Sequence, residues 1–222
     1  MPHVFVDDLD APVLGDADRH HLERVLRTRL GDELTAADGA GRWRACRLAA
    51  AGHLEPTGEI VVDPPSTPPI AVAFALTKGD RPEWVVQKLT ELGVDRILPF
   101  SAARSVVRWE GDRADRHLER LRTVAREASM QSRRSWLPIV EAVRSFAEVV
   151  AEPGAAMADG GGGPPSLASP LVMVGPEGGW SDEERAAKVP RIGLGPLVLR
   201  AETAAIAAGT ALSLLRAGLV HD

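Results

Sequence analysis

From residue 70 onward the chain alternates short apolar runs with stretches of helical period, and this constrains the fold more than any other feature. IAVAFAL reads as a buried strand. Residues 82–92 carry Trp84, Val85, Lys88, Leu89 and Leu92 at helical spacing and stop at Gly93. RILPF is a second strand, and residues 115–130 place Leu118, Leu121, Ala125 and Ala128 on the inner face of a long helix. LPIVEAV, a short helix over 146–151, LVMVG, a helix over 182–188, RIGLG and a terminal helix over 201–215 continue the series. MADGGGGPPSLASP is expected to be a flexible surface loop. Strands separated by helices pair in parallel, so the expected class is α/β with a mainly parallel sheet.

DPPSTPP is a stiff connector that marks a domain boundary, giving an N-terminal unit over 1–67 and a second over 68–222. The first unit reads as mostly β. VFV is a short strand, residues 16–29 form an amphipathic helix ended by Gly31, and ELTAAD and RWRACRL flank a Gly39-Ala40-Gly41 hairpin turn. EIVVD adds a strand. Adjacent His20 and His21 point apart on a helix and have no third ligand nearby, so no metal site is expected. The single cysteine, Cys46, excludes an internal disulfide, fits a reducing cytoplasm and is expected in the core.

No apolar run reaches membrane-spanning length, and the acidic N-terminus is unlike a secretory signal. The net charge of −5 argues against a polyanionic partner, but the distribution is uneven. Residues 101–136 hold nine arginines against five acids. Such a basic zone is a possible polyanion footprint. Most of its arginines are expected on a solvated helix face with intrahelical partners.

VMVGPEGGWSDEE breaks a strand with a turn rich in glycine. It lacks the lysine of a phosphate loop, and GLGPLV has Val198 where a dinucleotide fingerprint needs its third glycine. Ser181 and Glu184 read as a capping box, and Asp182 and Glu183 add charge to the first helical turn. A helix N-terminus attracts anions, but here that demand is met internally, and Glu177 repels phosphate. A neutral or cationic ligand along bare backbone suits Gly178 and Gly179, with Pro176 stiffening the turn. The same residues also make a tight turn with no ligand, and the loop alone does not separate the two.

In the second distinctive stretch, GLGPLVLRAETAAIAAGTAL, Arg200, Glu202 and Thr203 open a helix of small residues. A cation is unfavourable at that end, so Arg200 serves a purpose beyond helix stability or is neutralised by Glu202. Alanine and glycine on this helix allow close packing on a neighbour.

These two stretches resemble the SPOUT superfamily of methyltransferases, and more closely the family that methylates uridine N3 in 16S ribosomal RNA, ribosomal small subunit methyltransferase E. HHLERVLR, TKGDRPEWVVQKLTELGVDRILPF, SAARSVV and REASMQSRR extend the similarity over nearly the whole chain. The resemblance implies an N-terminal PUA-like β-barrel that binds RNA and a trefoil-knotted α/β domain. It also implies a cytoplasmic homodimer with active sites at the interface, acting on the small ribosomal subunit. The implied cofactor is S-adenosylmethionine, with contacts expected at Val174, Gly175, Pro176, Glu177, Gly178, Gly179, Leu194, Gly195, Leu197, Leu199, Arg200 and Thr203. Its cationic sulfonium agrees with a loop that bears a carboxylate.

Within that reading, Arg200 stabilises negative charge developing on the base. Glu202 orients Arg200 or takes the N3 proton. Arg104, Arg108, Arg133 and Arg134 are the expected phosphate contacts. Trp109, Trp136 and Trp180 are either stacking partners for a base or plain core. Leu197, Met130 and His3 stand where arginine, glutamate and arginine are expected in this family. The rivals are another knotted methyltransferase acting on a tRNA ribose 2′-hydroxyl, and a non-catalytic RNA-binding protein of the same fold.

Overall fold

The apolar run Ala71–Ala75, five residues all buried, forms the middle of a parallel sheet. It belongs to a computed structural model that describes residues 1–15, 18–19 and 28–221. The helix expected over 16–29, with His20 and His21, lies largely outside the described residues. The chain divides into two compact units, Met1–Pro65 with Arg126–Leu137, and Ser66–Ala125 with Pro138–Asp222.

The first unit holds β1 (His3–Phe5), β2 (Glu33–Ala37), β3 (Arg42–Leu48), β4 (Leu54–Pro56) and β5 (Val61–Val62). They pair in the order β1-β2-β3-β4, with β5 also on β3. Alternation in β2 and β3 sends Leu34, Ala36, Cys46 and Leu48 inward, where Val4, Val6, Leu9, Leu14 and Leu54 join them. Cys46 is core, as expected, and burial pushes its thiol pKa up.

Residues 126–137 complete this unit. Arg126 reaches both oxygens of Asp18 at 2.7 and 2.6 Å and donates to the Phe5 carbonyl. Met130 packs against the core cluster. Trp136 Nε1 donates to the Asp63 carbonyl at 3.0 Å. Gly41, at φ +91, lies so close to the Trp136 ring that a Cβ would approach within 2.4 Å. Trp136 is therefore packed within this unit. His3 is buried, hydrogen-bonded to Thr35 Oγ1 at 2.7 Å and to the Arg134 carbonyl at 3.0 Å. Burial holds its ring below the ordinary histidine pKa. A neutral imidazole thus occupies the place where the family resemblance leads one to expect arginine.

The second unit contains β6 (Ala71–Ala75), β7 (Arg96–Ser101), β8 (Ile139–Val140), β9 (Arg144–Ser145), β10 (Ala155–Gly163), β11 (Leu171–Val174) and β12 (Arg191–Ile192). All pairings are parallel, in the order β12-β10-β11-β6-β7-β8, with β9 also on β7. The helices are α1 (Arg81–Glu91), α2 (Asp112–Ser132), α3 (Phe146–Val150), α4 (Asp182–Arg185) and α5 (Ala201–Arg216). Burial on both faces explains why the strands read as continuous apolar runs.

On one face, α1 and α5 pack over β6. Gly209 of α5 sits against Leu89 of α1, where a Cβ would come within 2.6 Å of Leu89 Cδ2. The small residues of α5 do allow the close approach expected of them. Val85, Val86 and Leu89 form the buried face of α1. Trp84, grouped with Val85 and Leu89 by helical spacing, is 44% exposed, whereas Val86 is buried.

Two elements depart from expectation. The glycine run expected as a flexible loop is largely strand β10. A Cβ at Gly162 would lie 2.6 Å from the Arg191 and Ile192 backbone, and one at Gly193 would lie 2.8 Å from the Gly162 carbonyl oxygen. These glycines permit close strand approach rather than flexibility. The helix expected over 182–188 is the single turn of α4.

Candidate active site

In an open parallel sheet, ligands collect beyond the C-terminal strand ends. Here β10, β11 and β12 end around a cavity of about 480 Å³. One wall is the bend after β11, with Val174, Gly175, Pro176, Glu177, Gly179 and Trp180. The opposing wall is the bend after β12, with Leu194, Gly195, Pro196, Leu197, Val198 and Leu199, followed by Ala201 and Ala204 of α5. Ala158, Asp159, Gly160 and Gly161 of β10 and Arg185 of α4 complete the lining. The two stretches singled out in the sequence thus share one cavity.

Local chemistry shapes the first bend. The Gly179 N–H donates to the Pro176 carbonyl at 2.8 Å, and Gly179 has φ +68. Gly175 faces the Trp180 indole, where a Cβ would sit 2.9 Å from the ring. Trp180 is buried, stacks on Phe100 at 6.1 Å between centroids and donates from Nε1 to the Ala158 carbonyl at 2.9 Å. It is a core residue that also backs the cavity. Trp109, also buried, stacks on His117 at 4.2 Å.

The expected capping box is present. Ser181 Oγ accepts the Glu184 N–H, and Glu184 Oε2 accepts the Ser181 N–H. Glu184 Oε1 also accepts the Ala103 N–H at 2.8 Å, so one buried carboxylate ties the loop after β7 to the start of α4. The positive end of α4 is satisfied from within the protein.

Arg81, at the start of α1, was not singled out in the sequence. It ion-pairs with Glu177 and lies 3.8 Å from Glu202 Oε1. One guanidinium therefore faces a carboxylate from each distinctive stretch. Glu202 pairs with Arg81 rather than with Arg200. It is 9% exposed, and its Oε2 is buried without a hydrogen-bond partner among the described residues. Arg200 is the N-cap of α5, is exposed, and its side chain caps nothing. Thr203 is exposed in the first turn of α5.

Of the expected cofactor contacts, Gly178, Arg200 and Thr203 do not line the cavity, whereas the other nine do. Gly178 faces the other way, its carbonyl accepting from Arg104 Nη1 at 3.1 Å. Arg104 and Arg108 are exposed in the second unit, and Arg133 and Arg134 belong to the first. Of the other arginines in that zone, Arg113 has an intrahelical partner in His117. Arg122 pairs with Glu119, but Arg120 pairs with Glu83 of α1 and Arg126 with Asp18.

Asp159, Arg185 and the adjacent glycines were missed because the glycine run resembles a linker. The apolar AAM preceding it, which pairs residue for residue with β11, was the available signal.

A family model described as an RNA methyltransferase domain matches residues 64–213, and one described as an RNA methyltransferase PUA domain matches residues 14–61. A protein of Mycobacterium tuberculosis named ribosomal RNA small subunit methyltransferase E is 34% identical, over 94% of this chain and 88% of its own. The Bacillus subtilis protein of the same name is 32% identical, over 87% and 86%. The solved structure of ribosomal RNA small subunit methyltransferase E from Neisseria gonorrhoeae, bound to S-adenosyl methionine, superposes with a TM-score of 0.84 at 28% identity. That match covers 97% of this chain and 98% of the other.

Proposed function

The chain belongs to the ribosomal small subunit methyltransferase E family of RNA methyltransferases, and from that premise we propose that it uses S-adenosylmethionine to methylate N3 of a uridine in 16S ribosomal RNA. The observation that carries this reading is the convergence of both glycine bends on one cavity. Its volume falls within the range of about 300–1,000 Å³ typical of small-molecule sites.

The residues present suit the cofactor. Bare main chain at Gly175, Gly179 and Gly195 gives polar edges at close approach. Val174, Leu194 and Leu199 offer apolar walls for a purine, and Glu177 places a carboxylate for a cationic group. When bound, S-adenosylmethionine supplies a methyl group on a cationic sulfonium.

Uridine N3 carries a proton at neutral pH, and losing it leaves negative charge on the neighbouring carbonyl oxygens. Arg200, exposed beside the cavity-lining Leu199 and Ala201, stabilises that charge. Glu202 is the proton acceptor this arrangement favours, since Arg81 faces one oxygen and the other lacks a donor. Most of the rate comes from holding the two reactants in register.

In this reading the chain is knotted around the cavity and works as a homodimer in the cytoplasm, with the site at the interface. Leu197 and Val198 at the cavity rim are 78% and 102% exposed, an apolar surface that a second copy would cover. The N-terminal unit and Arg104, Arg108, Arg133 and Arg134 contact the RNA backbone, with the small subunit as substrate. No described helix is long and apolar enough to cross a membrane.

The test is methyl transfer from labelled cofactor to small subunits purified from a strain that lacks the modification, followed by mass analysis of the nucleosides. N3-methyluridine is the expected product. A ribose-methylated nucleoside would replace this reading with a 2′-hydroxyl methyltransferase, and no incorporation would favour a non-catalytic RNA-binding protein.

A further inference from the structure

Among the residues lining the cavity, three carry charge: Asp159, Glu177 and Arg185. Glu177 is already engaged by Arg81. Asp159 and Arg185 have no role in the reading above. Resting on that reading, we infer that Asp159, held by Arg185, receives the ribose diol of the cofactor and so selects for a ribonucleoside.

Asp159 follows the apolar half of β10, where the strand passes between β11 and β12. Its carboxylate is fixed on two sides. Oδ1 accepts the Gly160 N–H at 3.0 Å, and Oδ2 accepts from Arg185 Nη1. Each carboxylate oxygen can accept two hydrogen bonds, so each keeps a free site. Gly160 and Gly161 stand beside it on the cavity wall with no atom within 4 Å of where a Cβ would be. A rigid acceptor therefore borders open space.

Three donor groups of S-adenosylmethionine suit a carboxylate in principle: the ammonium, the adenine amine and the ribose diol. An ammonium brought to Asp159 would meet the Arg185 guanidinium, and like charges repel. Glu177 also meets a guanidinium, but Arg81 is shared with Glu202, so two carboxylates face one cation there and a net negative charge remains for a cationic group. The adenine amine offers two diverging hydrogens on one atom and satisfies only one oxygen. A vicinal diol presents two parallel O–H donors, matching the two free sites in a bidentate pair that needs no net charge on the ligand. A carboxylate serves ribose hydroxyls in the same way in dinucleotide-binding sheets.

Arg185 is a positioning residue here, because it fixes the Asp159 rotamer and balances its charge. The glycines give the sugar room. This assigns the ribose to the β10 side of the cavity and leaves Glu177 to the cationic part of the molecule.

Calorimetric titration of the full chain with S-adenosylhomocysteine and its 2′-deoxy and 3′-deoxy analogues tests the assignment. Hydrogen bonds to a charged group support an expected preference of the unmodified protein for the parent compound of about tenfold or more. Asp159→Ala and the near-isosteric Asp159→Asn should weaken the parent by about tenfold and bring all three compounds to within about twofold of one another, as a double-mutant cycle requires. Thermal unfolding of both variants checks that they fold. Equal binding of all three compounds by the unmodified protein, or a full diol preference retained in a folded Asp159 variant, would overturn the inference while leaving the cofactor reading intact. Failure of the unmodified protein to bind S-adenosylhomocysteine would overturn the cofactor reading and this inference with it.

Discussion

Gly175→Ala isolates the packing that shapes the cavity. The new Cβ would lie 2.9 Å from Trp180 Cε2 and 3.1 Å from Cδ2 and Cζ2, where ordinary carbon contacts begin near 3.5 Å. The ring has little room to retreat, since Phe100 stacks beside it and its Nε1 is bonded to the Ala158 carbonyl. Gly175 has no positive φ, so alanine brings no backbone penalty and the cost is steric. Overpacking of this kind costs about 1–3 kcal/mol. For a domain of this size that lowers Tm by about 2–12 °C. Ala158 lines the cavity too, so a tilted Trp180 also weakens ligand binding. Gly178→Ala, three residues on, is the internal control. Its Cβ meets only Arg104, at 3.3 Å from Cβ and 3.7 Å from Cδ and the carbonyl oxygen, on an exposed loop where a shift of a few tenths of an ångström suffices, and its expected cost is below about 0.5 kcal/mol. Thermal unfolding followed by tryptophan fluorescence, with calorimetric titration of S-adenosylhomocysteine, reads both effects. A Gly175→Ala protein as stable as its parent, or a larger loss in Gly178→Ala, would refute the reasoning.

Arg200→Ala is expected to abolish methyl transfer while leaving S-adenosylhomocysteine affinity within about twofold, because the side chain does not line the cavity; unchanged turnover removes it from the mechanism. Acid should destabilise the fold in two stages. Burial depresses the His3 pKa, so the unfolded chain binds the extra proton first, and this contribution is complete above about pH 6.5 and fades as pH falls through the folded value. The Arg96 hydrogen bond holds Glu152 below the usual carboxylate range, so its contribution is complete above about pH 4.3 and is lost on further acidification. Urea unfolding midpoints from pH 8 to 3 should decline over both intervals, and Glu152→Gln should flatten the lower one; an unaltered acid limb in that variant contradicts the assignment.

Much of this architecture is legible in the residues because local and global preferences agree there. The apolar runs of β6, β7 and β11 have no other good state than buried parallel strands, and Ser181-x-x-Glu184 caps a helix by a rule that needs only four residues. The illegible parts depend on partners distant in the sequence. The glycine run of β10 reads as a linker until β12 lies against it, since only then does the missing Cβ at Gly162 become a packing requirement. Trp84 has the right period for the core, but burial goes to Val86. The part of α2 from Arg126 onward belongs to the first unit through Asp18 and Met130 contacts, which no linear boundary conveys. Arg81 carries no motif, and its meeting with Glu177 and Glu202 depends on the spatial convergence of two distant loops. Both distinctive stretches were visible in the sequence, but their union around one cavity became apparent only in three dimensions.

The most direct measurement is a crystal structure of the protein grown with S-adenosylhomocysteine. A single molecule touching main-chain atoms of both Val174–Gly179 and Leu194–Leu199 is the outcome this account expects. Density for the compound at any other place, or contact with just one of the two bends, would contradict it.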